Sequence, residues 1–590
     1  MTSAYRWWRE DASLRLRFLG RLALPLLFVL VGVNCGDVYR PVALPIAGAS
    51  PSPAPIGHIS VIAMNGTVTS PPNQFLNSGS FSRINVAGDS VVQTAPAGVA
   101  PVHAALTSGG RLYVANSGED TVFASPPTAA TQGTTINLVQ LCDASGCPPI
   151  TPVFVHTTEP NRMYVADSGN GTISVIDTSL NIVVNTFAVS PANAGSPTPS
   201  PDRVSQPIAL AELPNGTRIY SVNKGSSSVS SINTQDGSIA KVLCVAPGKV
   251  PPCPSSPSPI WAVANVDNTH VYVLDTADTI SVIDTTTDTI VSSVSAGSGG
   301  GNLNQLLYDP LMNRVYATDA NSAQPALALF DVASQGNLPN STLVPHGPGK
   351  APIGIATGSA CTSVPVPASV TVLGDGSRAY VASYQNDGTQ ICTQATVVDA
   401  GTGLVTKTIP LSQTALPLGI LAQTDCDVAR FRVYAASSLG GTNSNFKVYV
   451  AQCDAGTVGI IDAFAVGTGP NPHPADWFAG WAPAPVSSFP SSQVSISAVS
   501  APQVQSCPAT APAPVTYNYS LLSGPALQAG MTVYVTGMKN SANDGAFPIV
   551  SATSSSFTIN NSCPAADSSA QSGNGSVIAP QNPVFLVPGS

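Results

Sequence analysis

Charged side chains are nearly missing from this sequence: Asp, Glu, Lys and Arg together make 9% of 590 residues, where about a quarter is usual. Long amphipathic helices are excluded, because their solvent faces need Glu, Lys and Arg. The 22 Lys+Arg and 31 Asp+Glu are spread thinly and give a net charge of −9. With no basic patch to meet phosphates, nucleic acid is not expected as a partner. The six histidines occur in no HExxH pattern, no calcium-type DxDxDG loop is present, and no GxSxG neighbourhood holds a His. Neither a metal nor a cofactor is therefore expected. What the sequence does have is Gly (50) and Pro (54), set among β-branched residues that alternate with turn formers, the signature of an all-β chain.

One unit recurs. A strand with a central Tyr appears in "RLYVANSGEDTV" (111–122), "RMYVADSGNGTISVID" (162–177), "RIYSVNKGSSSVSSIN" (218–233), "HVYVLDTADTISVID" (270–284), "RVYATDA" (314–320), "RAYVASYQ" (378–385) and "KVYVAQCDAGTVGIID" (447–462). A Pro-led apolar stretch precedes it, as in "PVHAAL" (101–106), "PIALAE" (207–212), "PIWAVAN" (259–265), "PIGIAT" (352–357) and "PLGILA" (417–422). A Gly/Asn/Asp turn, an "ISVID"-like strand and an outer strand such as "IVVNTFAV" (182–189) complete the unit. Four short antiparallel strands per unit make the blade of a β-propeller, which buries both sheet faces by stacking blades around an axis. The spacing predicts seven blades, with eight as the alternative. The segments at 58–66 and 82–94 read as a unit lacking its first strand, and the region near 417–462 is the expected donor of that strand.

These segments resemble the YVTN β-propeller repeat, found in many bacterial and archaeal surface or exported proteins; the resemblance spans about 58–467 and implies architecture rather than chemistry. The repeated Tyr is read as core packing with a hydroxyl that reaches a loop. Asp177, Asp284, Asp331, Asp399 and Asp462, at the ends of equivalent strands, are read as turn caps rather than calcium ligands.

The ends of the chain differ from the repeat. Residues 1–35 read as an export signal, with five Arg before the apolar stretch "LALPLLFVLVGV" (22–33). "VGVNCGD" (31–37) resembles a bacterial lipobox, with Gly32 and Asn34 departing from its usual residues, and implies lipidation at Cys35. A Pro/Ala-rich tether (36–56) leads to the propeller (57–467). A Pro-rich linker (468–492) carries Trp477, Phe478 and Trp481, read as packing against the propeller's side or as a ligand-stacking patch. A small β-sandwich or barrel (493–590) follows. The ten remaining cysteines fall into local pairs, Cys142/Cys147, Cys244/Cys253, Cys361/Cys392, Cys426/Cys453 and Cys507/Cys563, expected as disulfides of an oxidising compartment.

Only one constellation suggests a site. If first strands line a central channel, His103 and His156 could converge there with Glu212 and Trp261. The leading expectation is nevertheless a non-enzymatic, lipid-anchored scaffold at the bacterial cell envelope, on the outer membrane or cell surface, binding a glycan or protein through uncharged loops. The alternatives are a propeller enzyme with a metal or cofactor in the channel, and a structural surface-coat component.

Overall fold

The computed structural model describes residues 60–589 apart from several stretches, the longest being 191–200, 335–340, 416–425, 467–472, 483–491, 502–512 and 562–572. Among the described residues nearly every element is a strand. Eight antiparallel sheets built on four strands each follow one another along the chain. The innermost strand of each packs against those of both neighbours until the ring returns to its start. This is a β-propeller of eight blades, the larger of the two counts the repeat spacing allows.

Blades 2 to 5 start at their innermost strands, Pro101–Leu106, Pro152–His156, Pro207–Glu212 and Pro259–Ala264. Blades 6 to 8 start at Leu303–Asp309, Val366–Val372 and Val433–Gly440. The leading Pro has a mechanical reason. In blades 2 to 5 the register slips directly after it, between Pro101 and His103, Pro152 and Phe154, Pro207 and Ala209, and Pro259 and Trp261. A residue without an N–H is tolerated at such a bulge because no ladder bond is lost there.

One Pro-led stretch, 352–357, does not become an innermost strand. Ile353–Gly354 instead pairs with the third strand of blade 6, and 417–422 lies outside the described residues. Blade 8 opens with "VYAASSLG" (433–440), whose Tyr makes it look like a second strand.

Blade 1 is closed from far away. Its own strands Ser60–Gly66, Gly79–Asn85 and Ser90–Gly98 lack an inner partner until Asn582–Gly589 pairs antiparallel with Ser60–Gly66. The donor is thus not the 417–462 region, because Asn445–Gln452 and Thr457–Asp462 are interior strands of blade 8. The stretch read as a linker supplies that blade's outermost strand, Trp477–Ala482. Between it and the closing strand, Ser492–Ser500, Ala513–Ser523, Thr532–Thr536, Gly545–Ala552, Ser556–Asn561 and Gly573–Ile578 form a closed barrel. The barrel has its own core around Ile496, Tyr517, Val533, Phe557 and Ile559. It is therefore an insertion before the last propeller strand, rather than a terminal appendage.

Blade-to-blade joints use the few charges available. The seven repeat tyrosines are fully buried, and several hydroxyls cross to the next blade's outer turn. Tyr113 donates to Asn181 Oδ1 at 2.6 Å, Tyr220 to Asp288 Oδ1 at 2.6 Å and Tyr449 to Asp89 Oδ1 at 3.0 Å, while Tyr380 bonds Asp476. The cation two residues before each of these tyrosines, Arg111, Arg218, Lys447 or Arg378, reaches the same acceptor. Each acceptor has φ between 48° and 57°: Asn181 56°, Asp288 49°, Asp89 50° and Asp476 54°. Asn and Asp tolerate that left-handed geometry better than other side-chain-bearing residues. At the opposite end of the blades, Asp120 Oδ1 accepts from the Ile150 and Thr151 amides, and Asp278 Oδ1 from Leu303.

The turn-cap reading holds for Asp177, Asp284 and Asp399, which accept backbone N–H groups two or three residues on. It fails for two others. Asp331 pairs with Arg314 and His346, and Asp462 with Lys447 and His473. Four disulfides join Cys142–Cys147, Cys244–Cys253, Cys361–Cys392 and Cys426–Cys453, as suits a protein folded in an oxidising compartment. Cys35, Cys507 and Cys563, with the segments read as export signal (1–35) and tether (36–56), lie outside the described residues.

Candidate functional site

An innermost propeller strand has one edge with no further strand to bond it, so its amides facing the axis need other acceptors. Side chains of the preceding blade supply them. Val155 N donates to His103 Nδ1 (3.4 Å), Glu212 N to His156 Nε2 (3.3 Å), Val370 N to Gln305 Oε1 (2.8 Å), Ala435 N to Ser369 Oγ (2.9 Å) and Ser437 N to Thr371 Oγ1 (3.1 Å). One rule thus accounts for both histidines that sequence reasoning singled out.

His103, His156, Glu212 and Trp261 lie on the innermost strands of consecutive blades 2, 3, 4 and 5, and all are buried. His156 and Glu212 come together, with Nε2 and Oε2 3.7 Å apart. His103 does not join them. Its ring stacks on Phe154 at 3.9 Å and leans on Phe585 at 4.4 Å. Trp261 meets Phe154 and Phe431 edge-on, at 5.8 and 5.7 Å.

Burial pushes the His156 imidazole down to about 3, because a desolvated ring resists protonation. It is therefore neutral at ordinary pH, and with Nε2 accepting an amide its proton sits on Nδ1. Glu212 Oε2 accepts from Thr158 N at 2.7 Å. The Nε2 lone pair of His156 is thus engaged by a backbone amide of the next blade, a contact that joins blades 3 and 4.

The rings around them fill the centre. Phe585 contacts Tyr434 at 4.3 Å and Phe431 at 6.4 Å, and Phe431 contacts Tyr434 at 4.9 Å. With His103, Phe154 and Trp261 this makes an unbroken circuit of side chains from blades 1, 2, 3, 5 and 8, so the axis at this level is plugged by aromatic packing. Sequence reasoning missed Phe154, Phe431, Tyr434 and Phe585. A signal existed for two of them: "PVFVH" (152–156) and "PVFLV" (583–587) are near-copies.

The outer rim is different. Trp477 and Trp481 are 46% and 51% exposed, although large aromatics usually bury most of their surface. Both are held. Trp481 Nε1 donates to Leu411 O at 3.2 Å, and its ring meets Phe478 edge-on at 5.0 Å. Trp477 stacks on His473 (6.0 Å, 18°), whose Nε2 lies 3.2 Å from Asp462 Oδ2. A register slip between Ile460 and Ile461 reverses the alternation, which puts the two indoles on opposite faces of the strand. Packing and stacking, the two readings open from sequence, are combined here: the rings are anchored to the propeller's side yet half-open to solvent. Among the described residues no group of His, Cys, Asp and Glu could hold a metal ion, and no helix is long and apolar enough to cross a membrane.

No known protein family matches the chain. No curated protein matches it either. Among solved structures, it resembles the Kuenenia stuttgartiensis hydrazine synthase (17% identity, TM-score 0.38, covering 54% of this chain and 89% of that one). It also resembles the β-propeller domain of Myceliophteria thermophila Cps50 (Swd1) (11%, 0.40, 61% and 96%) and a protein from Lactobacillus plantarum (16%, 0.39, 60% and 99%). At these identities the likeness concerns fold alone, and the propeller assignment rests on the closed ring of eight sheets.

Proposed function

We propose that this protein is a non-enzymatic binding scaffold of the bacterial cell envelope, exported, anchored by lipid at Cys35, and holding a glycan or protein ligand on its rim. One contrast carries the reading: the axis is packed shut with aromatic rings, whereas Trp477 and Trp481 stand fixed and half-exposed outside. Immobilised aromatic faces lose little entropy on binding and suit uncharged partners, sugar rings or apolar protein surfaces. The low charge of the whole chain favours the same class of ligand. Resemblance to YVTN repeat proteins, the four disulfides and the lipobox-like segment support the location.

The test is binding of the exported chain to a panel of neutral glycans and to solubilised envelope proteins, compared with Trp477→Ala, Trp481→Ala and the double variant. Loss of a buried aromatic anchor costs about 2 kcal/mol or more at a binding hot spot, roughly thirtyfold in affinity. A ligand retained at full affinity by the folded double variant would remove the rim from the proposal. A stoichiometric cofactor in native mass spectrometry would redirect it to the axis.

A further inference from the structure

The closing strand is the place where this propeller depends on a distant segment. Ser60–Gly66 bonds Asn582–Gly589 along its whole length, from Ser60 opposite Gly589 to Gly66 opposite Asn582. Phe585, Leu586 and Val587 are at most 1% exposed, and Phe585 sits between His103 and Tyr434 in the central plug. Between the outer strand of blade 8 and this strand lie residues 483–581, which contain a barrel with its own closed sheet and core. The chain therefore delivers its closing strand from beyond a separate folding unit.

We infer that the inner edge of blade 1 is a strand-acceptor site, and that its partner is the closing strand of a second copy of this chain. The strands that Asn582–Gly589 packs against most closely, Ser60–Gly66, Pro101–Leu106 and Val433–Gly440, all belong to the acceptor ring, so a strand from another copy can make the same contacts. The choice between the two is then set by effective concentration. The chain enters and leaves the barrel side by side, Ser492 opposite Val577, so the connection acts as a short tether that holds its end at about millimolar concentration. Copies crowded on a surface approach that value and exchange strands, whereas dilute copies close on themselves. Reciprocal exchange gives a dimer, and serial exchange gives an open chain of propellers, since head-to-tail contacts need not close. The acceptor is selective: the entering strand must present an aromatic ring at the place of Phe585, and bring its Pro583 opposite Asn65 where the register slips.

The test uses two full-length exported chains, one carrying Ser60→Cys and the other Gly589→Cys, with different tags. These positions face each other across the pairing, so a disulfide between the two chains forms only after exchange. The chains are unfolded together with native disulfides intact, refolded over a range of concentrations, and oxidised. The expected result is a covalent heterodimer mapped to residues 60 and 589, its fraction rising roughly tenfold for each tenfold rise in concentration while it remains the minor form. Introducing Phe585→Ala into the Gly589→Cys chain should reduce that fraction. A double variant with both cysteines in one chain shows whether the pair is competent to bond. If it closes internally while the mixed chains stay monomeric up to millimolar concentration, the inference is overturned. No ligand enters the assay, so its outcome is independent of the rim proposal.

Discussion

Replacing Asp167 by Asn should stabilise the protein at neutral and mildly alkaline pH. Asp167 ends the second strand of blade 3 with no exposed surface. Its Oδ2 accepts from Ser174 Oγ at 2.6 Å and Thr172 Oγ1 at 3.3 Å. Burial pushes this carboxyl up to about 8, against the partial pull of those hydroxyls. Blade 4 has Asn at the same place: Asn223 Nδ2 donates to Ser228 (3.3 Å) and Ser230 (2.8 Å), the counterparts of Thr172 and Ser174. Hydroxyls rotate to accept as readily as to donate, so Asn fits the site at unchanged volume.

The pH dependence follows from linkage. The unfolded chain ionises Asp167 above about 3.8, while the folded chain holds the proton until about 8. Its contribution is therefore full below pH 3.8 and is lost as pH rises towards 8, a cost of about 4 kcal/mol by pH 7 at 1.4 kcal/mol per unit. Denaturant unfolding of both proteins from pH 4 to 8, with disulfides intact, should show Asp167→Asn gaining up to that amount at pH 7, and the gain vanishing near pH 4. Comparison at each pH cancels every other titrating group. A gain equal at pH 4 and pH 8, or a loss at pH 8, would refute the reasoning.

Three further outcomes are expected. His156, held down to about 3 by burial, contributes fully above its unfolded value near 6.5 and loses that contribution as pH falls towards 3. His156→Gln keeps an acceptor for Glu212 N, as Gln305 does for Val370, and should unfold with a shallower acid slope between pH 6.5 and 4. Tyr220→Phe removes the bond to Asp288 Oδ1 and should cost about 1.5–3 kcal/mol, the range for a hydrogen bond to a charged group; a loss below about 0.5 kcal/mol, the scatter of ordinary surface changes, would deny the joint its stabilising role. Phe585→Ala empties the plug at the ring's closing strand and should cost about 3–5 kcal/mol in thermal or denaturant unfolding.

Much of the fold was legible because its repeat is local. The Tyr strand, the turn and the following strand are contiguous, so their alternation and punctuation survive in the sequence. What did not survive was what the ring brings together from afar. Blade 1 and its closing strand are separated by seven blades and a barrel, and no periodicity links Ser60–Gly66 to Asn582–Gly589. The likeness of "PVFLV" to "PVFVH" was the one trace of it. Val433–Gly440 was hard to place for the opposite reason: a Tyr at position 434 imitates the second-strand motif while serving an innermost strand.

The same distinction explains the histidines. From sequence, two His, a Glu and a Trp on neighbouring channel strands are the ingredients of a site, because residue type suggests chemistry and burial cannot be seen. In the ring those positions face bare amides of the next blade, where any acceptor will serve. Gln305, Ser369 and Thr371 meet the same need in blades 6 and 7, which makes an imidazole at His103 or His156 one solution among several. If the role is acceptance alone, Gln should replace either His without loss of ligand binding, and at His156 only the acid slope of stability should change. A histidine whose replacement by Gln abolished binding in a protein of unchanged stability would instead place function at the axis.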